Sequence, residues 1–124
     1  MKNSEFGDLV FNTGWKAKAE IKLFGINYNI VIKAKAYFEK DGITREQEVA
    51  FSKFKKEKTE NLKNAEILLN KFSNKAATRF TPKTLLFERD GGYALLLDDN
   101  EDKDGGIAVC FAPQMEILSQ DEYL

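Results

Sequence analysis

The residues with the greatest capacity for chemistry form one short acidic run in the last third of the chain. Five carboxylates fall within residues 98 to 104, namely Asp98, Asp99, Glu101, Asp102 and Asp104. Carboxylates at this density can coordinate a divalent cation, dock against a basic surface of a partner, or keep a hairpin loop solvated. These five residues are therefore the candidate partner-binding site.

A calcium site is the first role that the spacing suggests. Asp98, Asn100 and Asp102 stand at the first, third and fifth positions of an EF-hand loop. However, Lys103 occupies the position that requires glycine, and Val109 occupies the position of the bidentate glutamate. The sequence therefore predicts no high-affinity calcium site and no cofactor. A carboxylate-only metal-binding protein is left as an alternative.

The distribution of charge favours docking of a basic partner. The formal net charge is only -1, yet residues 80 to 124 hold ten acidic against three basic side chains. Residues 44 to 79 hold nine basic against five acidic side chains. Clustered like charges steer association with a partner of opposite sign, so the acidic run predicts a protein partner with a basic surface.

Histidine is absent from the chain. Its absence removes Ser-His and Cys-His dyads, the commonest general base near neutral pH, and the usual zinc ligand sets. No other catalytic motif stands out, and we expect the protein not to be an enzyme. Chemistry based on carboxylates or lysines alone stays open.

A second charged surface is predicted on two alternating segments near the start of the chain. The residues that would share one face of these strands are Lys16, Lys18, Lys22, Lys33 and Lys35. With Tyr37 nearby, they could form a nucleic-acid platform. Glu20 interrupts the row and the sequence pI is about 5.6, so nucleic acid is disfavoured as a partner but kept as an alternative.

Composition indicates one domain spanning residues 1 to 124, with 43% hydrophobic and 31% charged residues. No stretch reaches the roughly 18 apolar residues that a membrane-spanning helix needs. The single Cys110 lies in an apolar run and allows no internal disulfide. We therefore expect a cytoplasmic protein without a membrane partner, whose oligomeric state the sequence leaves open.

Hydrophobic periodicity predicts the elements that position these residues. Flanking turn residues predict a short strand at residues 9 to 11, and alternating patterns predict a long hairpin at 15 to 23 and 27 to 38 with its turn near residues 24 to 26. A capping box at Thr44 begins a helix that extends to about Phe72, with a break expected at residues 59 to 61. Its predicted buried stripe consists of Phe51, Phe54, Leu62, Ala65, Leu69 and Phe72. Four strands follow, at 84 to 89, 93 to 97, 106 to 112 and 115 to 118. The predicted fold is α+β: an antiparallel sheet of six to seven strands packed on one long or broken helix, in the order βββ-α-ββββ.

The chain also resembles a family of small, uncharacterised bacterial domains of unknown function. The most specific part of the resemblance is the stretch Arg89-Asp90-Gly91-Gly92-Tyr93-Ala94-Leu95-Leu96-Leu97-Asp98. Shorter matching segments are Phe6-Gly7, Trp15, Leu23-Phe24-Gly25, Gly106-Ile107-Ala108-Val109 and Asp121-Glu122-Tyr123-Leu124. Proteins of this type resemble immunity proteins of bacterial toxin systems. The resemblance implies a non-enzymatic immunity or inhibitor protein that neutralises a toxin, and it identifies no catalytic residue.

Overall fold

The computed structural model describes residues 1 to 124, which form a seven-stranded main sheet and a two-stranded ribbon. The main sheet runs from β3 to β9 in chain order. The strands are β1 Lys2–Asn3, β2 Gly7–Asp8, β3 Val10–Phe11, β4 Trp15–Leu23, β5 Ile26–Ala34, β6 Phe80–Phe87, β7 Tyr93–Asp99, β8 Asp102–Ala112 and β9 Glu116–Ser119.

The helices are α1 Arg45–Lys56, α2 Lys58–Phe72, α3 Ala76–Arg79 and α4 Gln120–Tyr123, and one 3₁₀ turn covers Glu39–Asp41. The first three helices lie between two runs of strands, which confirms the predicted α+β class. None of the helices combines the length and the apolar character needed to cross a bilayer.

The hairpin of β4 and β5 forms as the alternation predicts. Its turn consists of Phe24 and Gly25, both with positive φ, a backbone geometry that matches the twist of the flanking strands. The second strand is shorter than predicted, because it ends at Ala34 instead of continuing to Phe38. Beyond Ala36 the chain leaves the sheet, and the side chains of Tyr37 and Phe38 are 91% and 63% exposed.

One pair of neighbouring strands departs from the antiparallel pattern. β5 and β6 are parallel, with Val31 level with Thr84 and Ala34 level with Phe87. Parallel neighbours require a crossover of a dozen or more residues, and the segment containing α1, α2 and α3 supplies it. The strands predicted from the sequence are therefore present, but one parallel pair makes the sheet mixed and not purely antiparallel.

The helical region breaks slightly earlier than predicted. Glu57 has φ -110° and ψ 23° and separates α1 from α2, so the break precedes residues 59 to 61. The restart at Lys58 orients α2 so that Leu62, Ala65 and Leu69 are its buried residues. Phe72, predicted to belong to the buried stripe, is 51% exposed in the last turn of α2.

The two faces of the main sheet are covered unequally. One face packs against α1 and α2 over a large core that includes the clustered rings of Phe6, Phe51 and Phe87. The opposite face carries only a small apolar cluster around Cys110, against which Tyr123 of α4 packs. We call this second side the open face. It is the side that carries the charged residues of β4 and β5.

Gln47 joins the start of α1 to the sheet and is fully buried. Its side-chain oxygen accepts a hydrogen bond from the backbone N–H of Thr44 at 2.9 Å, completing the predicted capping box. Its Nε2 donates to the carbonyl oxygens of Lys35 and Phe87 at 3.0 and 3.2 Å. One polar side chain thus fixes the helix against the two parallel strands.

Replacement Gln47→Leu is expected to lower the free energy of unfolding by about 2 kcal/mol, because it removes the capping acceptor and two buried hydrogen bonds. Chemical denaturation measures the change. Gln114→Leu is the matched control, since Gln114 is exposed and bonds only to Glu116. Equal unfolding free energies for the two variants would contradict a structural role of Gln47.

Candidate functional site

The acidic run forms the tip of the β7–β8 hairpin. Asp98 and Asp99 end β7, Glu101 lies in the turn, and Asp102 begins β8. The tip therefore gathers four exposed carboxylates, those of Asp98, Glu101, Asp102 and Asp104. The fifth predicted residue, Asp99, has a different environment, because only 7% of it is exposed.

Asp99 anchors the hairpin through Arg79. Its Oδ1 and Oδ2 accept hydrogen bonds from Nε and Nη2 of Arg79 at 3.0 and 2.9 Å, a bidentate arrangement. Oδ1 also accepts from the backbone N–H of Glu101 at 3.0 Å. These donors, Arg79 foremost, lower the pKa of the Asp99 carboxyl. Asp99 is thus engaged within the fold and is not available to a partner.

Arg79 is a residue of the candidate site that the sequence reasoning did not identify. Besides Asp99, it forms an ion pair with Glu101 at 3.1 Å. Its guanidinium lies 5.7 and 5.0 Å from the ring centroids of Phe72 and Phe80. The hydrogen bonds to Asp99 raise the pKa of Arg79. These contacts of Arg79 with two carboxylates and two rings tie the tip to α3 and β6.

Asn100 completes this base with contacts to α3 and β6. Its backbone N–H donates to the carbonyl oxygen of Arg79 at 2.7 Å. Its side-chain amide donates to the carbonyl of Thr78 at 2.9 Å and to the hydroxyl of Thr81 at 3.2 Å. The turn is therefore tied to the helical region by both main chain and side chain.

The exposed carboxylates of the tip are largely uncompensated. Among them only Glu101 has a cationic partner within 4.0 Å, and that partner is Arg79. Asp98, Asp102 and Asp104 form no ion pair. No group of three or more His, Cys, Asp or Glu side chains could hold a metal ion. Three carboxylates of the tip are therefore left without a cationic partner within 4.0 Å.

The predicted lysine surface lies on the open face. Lys16 is directly opposite Lys33 across the β4–β5 hairpin, and Lys18 is opposite Val31. Lys22 is on the same face at the other end of β4. Lys35 follows β5 and forms an ion pair with Glu88 at 2.9 Å. The structure therefore brings these lysines to one face, where Lys16 and Lys33 are directly opposite each other.

Comparisons with protein-family models, with curated proteins and with solved structures find no match to the chain. The resemblance to bacterial domains of unknown function stays a prediction.

Proposed function

We propose that this is a non-enzymatic binding protein that docks a basic surface of a protein partner through the acidic tip of the β7–β8 hairpin. The observation that carries the proposal is that Asp98, Asp102 and Asp104 are exposed and unpaired on a tip fixed by the Arg79–Asp99 ion pair. The candidate partner-binding set is therefore Asp98, Glu101, Asp102 and Asp104, with Asp99 as their support.

A fixed tip suits recognition for two physical reasons. Charges that are already in place steer a partner of opposite sign toward the correct orientation. A loop that is ordered before binding also loses less conformational entropy when the complex forms. Both effects act on association with a basic surface, and neither requires a catalytic group on this chain.

The more specific form of the proposal is an immunity or inhibitor protein that neutralises a bacterial toxin in the cytoplasm. It is supported by the resemblance of the stretch from Arg89 to Asp98 and by the acidic tip, whose carboxylates can imitate phosphates in the basic cleft of a nuclease. In this form, inhibition results from occupying the cleft that the toxin uses for its substrate.

The test is affinity capture of the partner with wild-type protein and with the triple variant Asp98→Lys, Asp102→Lys and Asp104→Lys. The purified partner is then titrated at two salt concentrations. We expect the variant to bind at least about tenfold more weakly, with a reduced dependence on salt, because the attraction is removed.

The matched control reverses three exposed acids away from the tip: Asp8→Lys, Glu39→Lys and Glu60→Lys. It changes the net charge by the same amount and is expected to retain the partner. Melting temperatures of both variants establish that they are folded. Equal binding by wild type and tip variant would remove the acidic tip from the mechanism.

A further inference from the structure

A cleft of about 420 Å³ opens at the end of the open face that is remote from the acidic tip. Its walls come from the ends of β5 and β6 and from the β3–β4 turn, and its lining includes Lys33, Lys35, Tyr37 and Glu88. Lys16 lies opposite Lys33 on the neighbouring strand. The cleft and the acidic tip are separate surfaces, so a ligand here would be independent of the partner proposed above.

The pairing of Lys16 with Lys33 is costly for the fold. Like charges directly opposite each other destabilise an antiparallel pair. Neither ammonium group has a carboxylate within 4.0 Å. Burial, followed by the nearby charges of Lys16 and Lys35, lowers the pKa of Lys33. An anion placed between these lysines would relieve the repulsion.

Gly14 makes room for Lys33 in this arrangement. A Cβ atom at Gly14 would lie 2.7 Å from Cε of Lys33, and the φ of Gly14 is +140°. The aliphatic stem of Lys33 therefore runs over a glycine whose backbone conformation disfavours any other residue. The stem of Lys33 thereby lies against the β3–β4 turn, which forms one wall of the cleft.

The acidic and guanidinium groups of the cleft are already engaged. Glu88 forms the ion pair with Lys35 and accepts a hydrogen bond from the Tyr123 hydroxyl at 3.4 Å. Asp90 accepts from the N–H of Gly92 at 3.0 Å. Arg89 donates to three main-chain carbonyls, those of Lys35, Asp41 and Gly42. Lys33 is therefore the cation of the lining that is left without an ion pair or a main-chain partner, and Lys16 lies opposite it on β4, outside the lining.

Tyr37 supplies the second recognition element. Its side chain lines the cleft and is 91% exposed, so its ring is packed against nothing that would hold it away from a ligand. Tyr37 and Lys33 line the same cleft. An aromatic ring and a free ammonium group together suit a nucleotide, because bases stack on aromatic rings and phosphates pair with lysines.

We propose that this cleft binds a nucleotide, with Lys33 of the lining and Lys16 opposite it on β4 holding its phosphate and Tyr37 stacking on its base. The nucleotide is either free or a unit of a single-stranded nucleic acid.

The test is calorimetric titration at low salt with the common 5′-ribonucleoside monophosphates, the matching nucleosides, inorganic phosphate and short single-stranded oligoribonucleotides. At least one monophosphate is expected to bind about tenfold more tightly than its nucleoside or phosphate alone. Tighter binding of the oligonucleotide than of the monophosphate identifies a strand as the ligand, whereas equal affinity identifies a free nucleotide.

Three variants assign the roles. Lys16→Gln with Lys33→Gln is expected to weaken nucleotide binding at least about tenfold while leaving the melting temperature equal or higher, because the repulsion is gone. Tyr37→Leu is expected to weaken the binding of nucleotides but not the binding of inorganic phosphate. Lys63→Gln with Lys71→Gln is the charge-matched control, because both lysines are exposed on α2 on the other side of the sheet, and this variant should bind as wild type. Absence of binding by every probe at millimolar concentration, phosphate binding as tight as nucleotide binding, or wild-type affinity in the double variant would overturn the proposal.

Discussion

Replacement Phe87→Ala is expected to lower the free energy of unfolding by about 4 kcal/mol, the largest effect among the substitutions considered. Phe87 is fully buried at the end of β6. Its ring centroid lies 5.5 Å from that of Phe6, 5.4 Å from that of Phe51 and 5.1 Å from that of Tyr93. Truncation removes the central ring of this cluster and leaves a cavity that its neighbours can fill only in part.

The main-chain role of Phe87 is unaffected by this change. Its carbonyl oxygen accepts from the N–H of Lys35 at 2.9 Å and from Gln47, and alanine retains that carbonyl. The measured difference therefore reports packing. Guanidinium denaturation gives the value, and Phe38→Ala is the control because Phe38 is 63% exposed. A loss below about 1 kcal/mol would show that the cluster collapses into the vacated volume.

Much of the fold follows from local patterns in the sequence. The alternation from Trp15 to Leu23 defines one buried and one solvated face, and the turn at Phe24 and Gly25 fixes the register of β5 against it. That register also determines that Lys16 faces Lys33. The capping box at Thr44 likewise specifies where α1 begins.

The pairing of β5 with β6 could not be obtained in this way. The two strands are separated by the three helices. No local sequence pattern predicts which edge of the hairpin β6 joins, or whether it runs parallel or antiparallel to its neighbour. The exposure of Phe72 has a similar cause. It depends on how α2 is oriented after the break at Glu57, and that orientation is set by tertiary packing.

The two-residue alternation of β7 could have shown in part which acidic residue is buried and supports the hairpin and which one faces solvent. Tyr93, Leu95 and Leu97 alternate along the buried side of β7, and Asp99 continues that phase while Asp98 does not. A carboxylate on the buried side of a strand requires a cationic partner. The sequence does not name that partner, because Arg79 approaches Asp99 only through the pairing of β6 with β7, in which Phe80 is level with Asp99.

Replacement Asp99→Asn is expected to lower the free energy of unfolding by about 2 kcal/mol at neutral pH, since charge-assisted hydrogen bonds within a mostly buried site are lost. Asp98→Asn is a close control: it is the preceding residue, it is exposed, and it has no ion pair. It should change stability by less than about 0.5 kcal/mol. A similar loss of unfolding free energy in both variants would mean that the overall negative charge of the hairpin matters and that the Arg79–Asp99 ion pair has no special role.

The pH dependence of this difference separates an ion pair from simple packing. The pKa of Asp99 is lowered below its ordinary value of 3.8 in the folded protein, so the unfolded chain binds a proton first as the pH falls. The stabilisation by the ionised carboxyl is therefore complete well above pH 3.8 and is lost as the pH decreases through the folded-state pKa. We expect the difference between wild type and Asp99→Asn to shrink in that acidic range, whereas Asp98→Asn stays close to wild type throughout. Denaturation curves at several pH values measure both differences. A difference for Asp99→Asn that did not change with pH would mean that the charge of Asp99 contributes nothing, and the acidic tip would then lack the electrostatic support on which its proposed role in docking depends.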